Sequence, residues 1–581
     1  MRERGEGCGT GGFVLTFTKK YISCVSISLL SFRSFQFFAF TKGNMSYISQ
    51  EQIDKLFSVS RKSPTDGLAL LRKLQKQLPN DTNLLLNSGA ILIDVGSNLG
   101  SEGLVIEGIE IYLDSIDKLK LNEPMLFYNI ANGYSSLYEL SKKSEGDDFV
   151  FNPDETPLLE AKRYFRKALQ KSELLKPELR AQLWVNYGNC LSGLGRSAEA
   201  LSSYDQALCI SPTHMMAKGN LAIELNYFSN ITRHNIFKLD ALELLQEVCS
   251  TNFLGKYASI GTKISFESVY KRISDEVAQM GLEKDPKKEK KTEKFMRGPQ
   301  KKYEQFCVRN QLFLNLCHSC CKCKHYLEDN ITFSFQTNID NATTFIRLSR
   351  VINSMKEQYA YARFLFFKTL YPDTDFIQID KLTNYIDNLD YAIYGSRIAS
   401  LKIVYQSAFD IFDKIAHFLN DYLSLDLNDL DIKFTTNGKI WRHKGKLRPE
   451  IKKRKNYPLF ALYDIARELD VNYKDQNQDG YQGYLRRTRN VLTHEYLILH
   501  FKDHNWSTEV DDKSLHMFIA DFVDQTLELL KLVRSAIIYL IAFIDLNERR
   551  KYKKSDEIIA PMFLPKFDPS IYSASKIFKK Y

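Results

Sequence analysis

The sequence predicts an all-α protein: a helical solenoid followed by a helical bundle. Three observations carry that prediction. Residues 181–214 set aromatic and small side chains at the spacing of a 34-residue, two-helix repeat. The segment Ile398 to Leu425 keeps its apolar residues on a 3.6-residue period. The composition, 44% hydrophobic and 26% charged, is that of a globular chain, and 581 residues suffice for several domains with sizeable cores.

The first 44 residues differ in character from the rest. Tyr21 to Phe40 is apolar and rich in Ser and Phe, but Arg33 interrupts it and leaves it short of a clean span. Met45 opens a sequence of ordinary helical character. Residues 1–44 are therefore expected to be a non-native or disordered extension, with an anchor or uncleaved signal as the alternative. Near the other end, Ala536 to Ile544 (AIIYLIAFI) is too short to span and reads as a buried helix face. The expectation is a cytoplasmic protein without stable membrane insertion.

Residues 45–230 are expected to form the solenoid. In the clearest unit, Trp184, Tyr187, Gly188 and Leu191 mark a first helix and Gly195 the turn. Ala200, Tyr204 and Ala207 mark a second helix, and Pro212 closes the unit. This layout resembles the tetratricopeptide repeat. Gly188 and Ala200 let helix backbones approach, and the aromatics fill the gaps. A second unit starts near Phe127, with Ile130, Ala131, Tyr134, Ala161, Phe165 and Ala168, and carries an acidic insertion around Lys142 to Pro157. A weaker unit runs from Leu85 and Gly89 toward Tyr112, and another first helix covers Ala217 to Ala222. Three stacked units are the minimum for a stable solenoid. Asn87, Asn129, Asn186 and Asn220 recur at one repeat position, and Asn132 and Asn189 three residues later on the same face. Carboxamides both donate and accept, so Asn129, Asn132, Asn186, Asn189 and Asn220 are candidates for binding a protein or peptide partner. The alternative is that they only cap or solvate their helices.

Residues 231–305 are expected to be a helical connector ending in the Lys-rich linker Lys284 to Lys302. Cys317, Cys320 and Cys323, with His318 and His325, lie close enough to hold zinc, but no second CxxC completes such a site. Reduced thiols are the favoured reading, so no metal or cofactor is assigned. A HEPN-like helical domain is expected over 306–548 and a tail over 549–581, on the following grounds.

In Ile398 to Leu425 the apolar positions are Leu401, Tyr405, Ala408, Phe412, Ile415, Leu419 and Tyr422. Asp410, Asp413, Lys414, His417 and Asp421 occupy the opposite stripe. Lys439 to Lys455 holds nine Lys and Arg against one Glu, with Trp441 interleaved; such a segment attracts phosphates, and Trp441 is a candidate to stack on a base. Further on comes Arg489-Asn490, with His494 five residues after the Arg. Together with the preceding blocks Cys307 to Asn315, Gln358 to Phe367 and Phe409 to Leu423, this resembles the R-x4-6-H motif of the HEPN superfamily, in a bacterial subfamily fused to tetratricopeptide repeats.

The resemblance implies metal-independent cleavage of RNA by a homodimer. Arg489, Asn490 and His494 would be catalytic. Lys444, Lys446, Lys452, Lys453, Arg454, Lys455, Arg486 and Arg487 would hold the RNA, a binding that the modest net charge of +10 permits without demanding. Imidazole as a class titrates near neutral pH and can move the 2′-hydroxyl proton; guanidinium stays charged and can stabilise the phosphoryl oxygens. A toxin-like or defence role is the associated expectation. Two alternatives stay open: a domain that binds RNA or nucleotide without cleaving it, and a purely helical adaptor. On the spacing alone, Arg489 and His494 fit a partly exposed structural helix, and positions i and i+5 diverge by about 140° on a regular helix. No P-loop, HExxH, GxSxG or paired CxxC motif points to another enzyme class.

Overall fold

The computed structural model describes residues 48–552 except 120–122, 146–150, 155, 233, 251–259, 283–298, 317–326, 334, 336–341, 372–373, 388–389, 437, 453–455, 471–481 and 502–513. The expected N-terminal extension, the Cys317–Cys323 cluster and nearly all of the expected tail lie outside the described residues. Two units emerge, the first ending at Asp285 and the second starting at Pro286; Leu194–Arg196 and Ile231–Arg233 group with the second.

The first unit is a run of helices. They are α1 (Gln50–Lys62), α2 (Pro64–Gln77), α3 (Thr82–Leu99), α4 (Glu102–Leu119), α5 (Pro124–Glu145), α6 (Leu158–Leu169), α7 (Pro177–Gly193), α8 (Ser197–Ile210), α9 (Met215–Thr232), α10 (Ile236–Ser250) and α11 (Ile260–Gln279). Local sequence sets the starts. Ser49 and Gln52 form a capping box at α1, and the Asp81 carboxylate accepts from the Leu84 N–H at α3. Neighbouring helices pair, α3 on α4, α5 on α6 and α7 on α8. Two close approaches need glycine. A Cβ on Gly89 would fall 2.7 Å from the Tyr112 ring, and one on Gly188 would fall 2.6 Å from the Tyr204 ring. The core between pairs is Leu84, Ile91, Ile130, Ala131, Phe165, Leu183, Leu201 and Ala207, all buried. The segment expected as a helical connector holds α10 and α11. Helices α10 and α11 pack together within the first unit, because Phe237, Leu245, Phe266 and Ile273 supply an apolar stripe on each.

The second unit is a bundle around three long helices, α13 (Ala342–Leu370), α15 (Ser396–Leu423) and α19 (Ile519–Tyr552). The shorter ones are α12 (Pro299–Arg309), α14 (Thr374–Asp380), α16 (Pro449–Lys452), α17 (Tyr457–Glu468) and α18 (Gly483–His494). Helix α15 packs on α13, α18 and α19. Its Leu401, Tyr405, Ala408, Phe412, Ile415 and Leu419 are buried, as their period predicts; Ala536 to Ile544 of α19 is likewise buried throughout. Among the described residues no helix is long and apolar enough to cross a membrane.

Small strands punctuate this helical fold. Strand β1 (Ala392–Ile393) pairs antiparallel with β4 (Tyr496–His500), which pairs parallel with β5 (Ser514–Phe518). A hairpin joins β2 (Arg442–His443) to β3 (Lys446–Leu447). Its two turn residues, Lys444 and Gly445, both have positive φ, 51° and 78°, as a two-residue hairpin turn requires.

One buried ion pair ties the start of this unit to α13. Arg363 donates to both Asp329 oxygens at 2.8 and 2.7 Å, to the Leu312 carbonyl at 2.9 Å and to the Tyr303 hydroxyl at 2.8 Å. Burial alone would lower the guanidinium's pKa; the Asp329 hydrogen bonds and charge outweigh it and raise the value. Arg363→Ala leaves that carboxylate and the buried Leu312 carbonyl without their donor. The variant should lose about 3–5 kcal/mol of stability, read as a lower urea midpoint for the second unit with the first unit's transition unmoved.

Candidate functional site

Helix α18 buries Leu485, Thr488 and Val491 and turns Arg489, Asn490 and His494 away from the core. It is held by side chains of α15. The Tyr405 hydroxyl donates to the Leu485 carbonyl (2.9 Å) and Gln406 Nε2 to the Leu492 carbonyl (2.9 Å). Lys402 Nζ reaches the Leu497 carbonyl at 2.6 Å, just past the helix, and burial lowers its pKa. These bonds fix the motif-bearing helix against the polar edge of α15.

Arg489 consequently meets acids on α15. Its Nη2 lies 3.6 Å from Asp410 Oδ1, and its guanidinium carbon sits 5.8 Å from the centre of the Phe409 ring. The Arg489 side chain is 27% exposed and that of Asp410 49%, so solvent and ligands reach the pair. One turn along α15, burial raises the Asp413 pKa; Arg489 opposes that rise most strongly and Asp410 adds to it. Asn490 is half-buried. His494 is exposed at the last residue of α18, where Glu495 turns the chain into β4. Arg489 and His494 thus share a helix but point apart, as the i, i+5 geometry requires. Sequence reasoning placed Asp410 and Asp413 on the polar stripe of α15 without a role. Their three-residue spacing on the stripe opposite the core was the available signal.

The basic segment is anchored beside this site, in a different way from the one expected. Trp441 is fully buried, donates its indole N–H to the Phe434 carbonyl (2.5 Å), and packs on Phe434 and Tyr463. It cannot stack on a base. Phe434 in turn stacks on Phe412 of α15. An aromatic relay therefore seats the β2–β3 hairpin on the helix that carries Asp410 and Asp413, because burying the indole outweighs exposing it. Lys444 and Lys446 are exposed on the hairpin, Lys452 on α16 and Arg487 on α18. Arg486 is committed elsewhere, to Asp470 at 3.0 Å. Lys453, Arg454 and Lys455 lie outside the described residues.

The carboxamides of the first unit also differ from expectation. Asn129, Asn132, Asn186 and Asn220 are buried rather than displayed on an open face. Asn129 Nδ2 donates to the Tyr112 hydroxyl, and Asn186 Nδ2 donates to the Tyr128 hydroxyl and to Asn132 Oδ1, each at 2.9 Å. Asn189 Oδ1 accepts from the Tyr204 hydroxyl and from Asn220 Nδ2, again at 2.9 Å. Asn87 bonds the Asn83 carbonyl of its own helix. The recurrence read from the sequence is in the main an internal polar ladder between helices, formed because each buried carboxamide must find a partner. Asn189 alone of the five candidates is half-exposed. Asn186, Asn189 and Asn220 nevertheless line a small cavity, while Asn129 and Asn132 do not.

One family model matches within the second unit. Residues 339–547 match the LA2681-like HEPN family. The match supports HEPN superfamily character for this region and takes in α13 to α19, the Arg489–His494 helix and the basic hairpin. No curated protein matches the chain. Among the described residues no group of His, Cys, Asp and Glu is placed to hold a metal ion.

At the start of the ladder, one Asp94 oxygen is shut off from solvent with no hydrogen-bond partner among the described residues, and burial pushes the carboxyl up to about 7 against the pull of Arg61. The folded state therefore holds a proton that the unfolded chain releases near its ordinary value of 3.8. That stability is fully present below about pH 4 and is lost as pH rises through about 7. Asp94→Asn should be more stable than the wild type at neutral pH by on the order of a few kcal/mol. Chemical denaturation at a series of pH values should show the two proteins converging as pH falls to 4.

Proposed function

We propose that the chain is a HEPN-type endoribonuclease that cuts RNA without a metal ion, and that its first unit, a tetratricopeptide-type solenoid, docks a protein partner. The observation that carries the proposal is the placement of Arg489. A solvent-reachable guanidinium is held by Asp410 and Phe409 on the helix that ends in an exposed His494. In this reading His494 takes the proton of the 2′-hydroxyl as that oxygen attacks phosphorus. As the P–O5′ bond breaks, a solvent water gives a proton to the departing 5′-oxygen, leaving a 2′,3′-cyclic phosphate. Arg489 stabilises the charge on the non-bridging oxygens, and Asn490 orients the phosphate. Lys444, Lys446, Lys452 and Arg487 hold the backbone through charge. A second reading, RNA binding without cleavage, is favoured by one fact: in this protomer Asp410 already neutralises Arg489.

The divergence of Arg489 and His494 calls for a second copy. A twofold contact brings the same patch to itself and pools two motifs in one cleft. An exposed apolar surface lies next to His494 in the chain. It includes Tyr496 (70% exposed) and Phe501 (70%) at β4, and Leu382 (89%) and Ile386 (82%) in the segment leading to β1, the partner of β4. Patches of this kind on soluble proteins mark interfaces.

Two measurements test these statements. In EDTA, the wild type should cleave RNA and spare DNA, which lacks the 2′-hydroxyl. His494→Ala should be slower by roughly 10²–10⁴-fold with RNA affinity retained. Equal rates for the two proteins, or activity abolished by EDTA, overturn the mechanism. By sedimentation, the wild type should be a dimer at micromolar concentration, and the double variant Leu382→Glu, Ile386→Glu a folded monomer with cleavage reduced in parallel. A monomeric wild type that cleaves at full rate overturns the shared cleft.

A further inference from the structure

Within the apolar surface next to His494, Tyr496 is set apart by where the chain puts it. It is 70% exposed, and neither its ring nor its hydroxyl has a partner among the described residues. A lone exposed tyrosine carries no message by itself. This one stands two residues past the proposed acid–base group. Glu495 between them is extended, with φ −138° and ψ −158°, so the Cα atoms of His494 and Tyr496 lie about 7 Å apart. A cleft that receives substrate at His494 therefore has Tyr496 in its wall, whether one copy or two build it.

The backbone under that ring is held from several directions. Tyr496 opens β4 and pairs with Ser514 of β5. The next residue, Leu497, is buried, and its carbonyl accepts from Lys402 Nζ of α15 at 2.6 Å. Alternation along the strand turns Tyr496 to the face opposite Leu497, outward. Packing within this unit gives no reason for an exposed ring in so fixed a place. A nucleobase gives one, since its flat π-face stacks on an aromatic ring. The charge beside it agrees. Arg487 is exposed on the helix that ends in His494, and Arg489 on that helix is reachable from solvent. Cations there draw the phosphates of the same strand whose base would meet the ring.

We propose that Tyr496 is the base-stacking platform of the site and that the substrate is single-stranded RNA. The proposal rests on the nuclease reading and names its substrate class. One of the two nucleotides that flank the cut turns its base onto the Tyr496 ring, while His494 and Arg489 meet the ribose and the phosphate. In a duplex each base is stacked between its neighbours and paired, so duplex RNA is a poor substrate. Every base has a π-face, so stacking selects an unpaired strand rather than a sequence. Tyr496 touches none of the reacting atoms. It is a positioning and specificity residue, felt in KM more than in kcat.

The test uses the full-length chain in EDTA and a 2′-O-methyl oligonucleotide holding one unmodified ribonucleotide, so that a single bond can break. A matched duplex, and versions abasic at either nucleotide flanking the cut, complete the set. The wild type should cut the single strand faster than the duplex by roughly tenfold or more. Tyr496→Ala should raise KM roughly 5–100-fold with kcat nearly unchanged, and Tyr496→Phe should keep wild-type values. One of the two abasic substrates should cost the wild type a similar factor and cost Tyr496→Ala nothing further, because the stacking partner is already gone. Sedimentation should find Tyr496→Ala in the wild-type state of assembly. Equal cutting of duplex and single strand, an abasic penalty of the same size in both proteins, or a Tyr496→Ala protein that loses the wild-type assembly overturns the proposal and leaves the nuclease reading standing. A wild type that cuts nothing ends the nuclease reading, and fluorescence anisotropy with the same oligonucleotides then decides the stacking by the same comparisons of affinity. No affinity for any of them overturns both.

Discussion

The second unit depends on one amphipathic constraint in α15. Burying Leu401, Tyr405, Phe412, Ile415 and Leu419 against α13, α18 and α19 leaves the helix no freedom to rotate. A rotation by one residue would carry apolar area into water at roughly 25 cal/mol per Å². With rotation fixed, Asp410 and Asp413 have to emerge at the edge where α18 docks. The side chains of Tyr405 and Gln406 then hold α18 by its backbone carbonyls. Arg489, Asn490 and His494 are thereby spared structural duty, and α18 can change its outward residues without losing its seat.

The same helix organises the basic hairpin. Phe412 faces Phe434, Phe434 faces Trp441, and Trp441 faces Tyr463 of α17. This relay fixes the base of the hairpin while its tip stays in solvent with Lys444 and Lys446. Positive charge is thus presented on a rigid arm. A rigid arm costs little conformational freedom when a charged ligand arrives.

Much of this was legible in the sequence. The period of α15, the buried run Ala536 to Ile544 and the small-residue contact at Gly188 are local patterns, and local patterns survive folding. What failed was any reading that needed to know which face of a residue meets water. Trp441 in a basic run was expected to be free for a base, but the run also holds Ile440 and Ile451, and the indole went inside with them. The recurring asparagines were expected to line an open groove. Repeat position fixes which helix face they share, yet only the neighbouring helix decides whether that face is covered. The ion pair of Arg489 with Asp410 spans residues distant in sequence and could not be read from either segment alone. The β1–β4–β5 sheet was not expected because two of its strands lie beside helices and the third is two residues long.

The Arg489–Asp410 contact bears directly on how the proposed site would work. At 3.6 Å two full charges attract by about 5 kcal/mol at an effective dielectric near 20. Both side chains are substantially exposed, however, and exposed pairs retain only about 0–1 kcal/mol once solvent and side-chain entropy are counted. A phosphate offers a guanidinium two parallel hydrogen bonds, which the single contact with Asp410 does not. Exchange of carboxylate for phosphate is therefore easy, and Asp410 holds Arg489 in position without locking it. The deeper Asp413 stays behind as the background charge. Burial already favours its neutral form, so the loss of Arg489 to a phosphate pushes it further toward protonation.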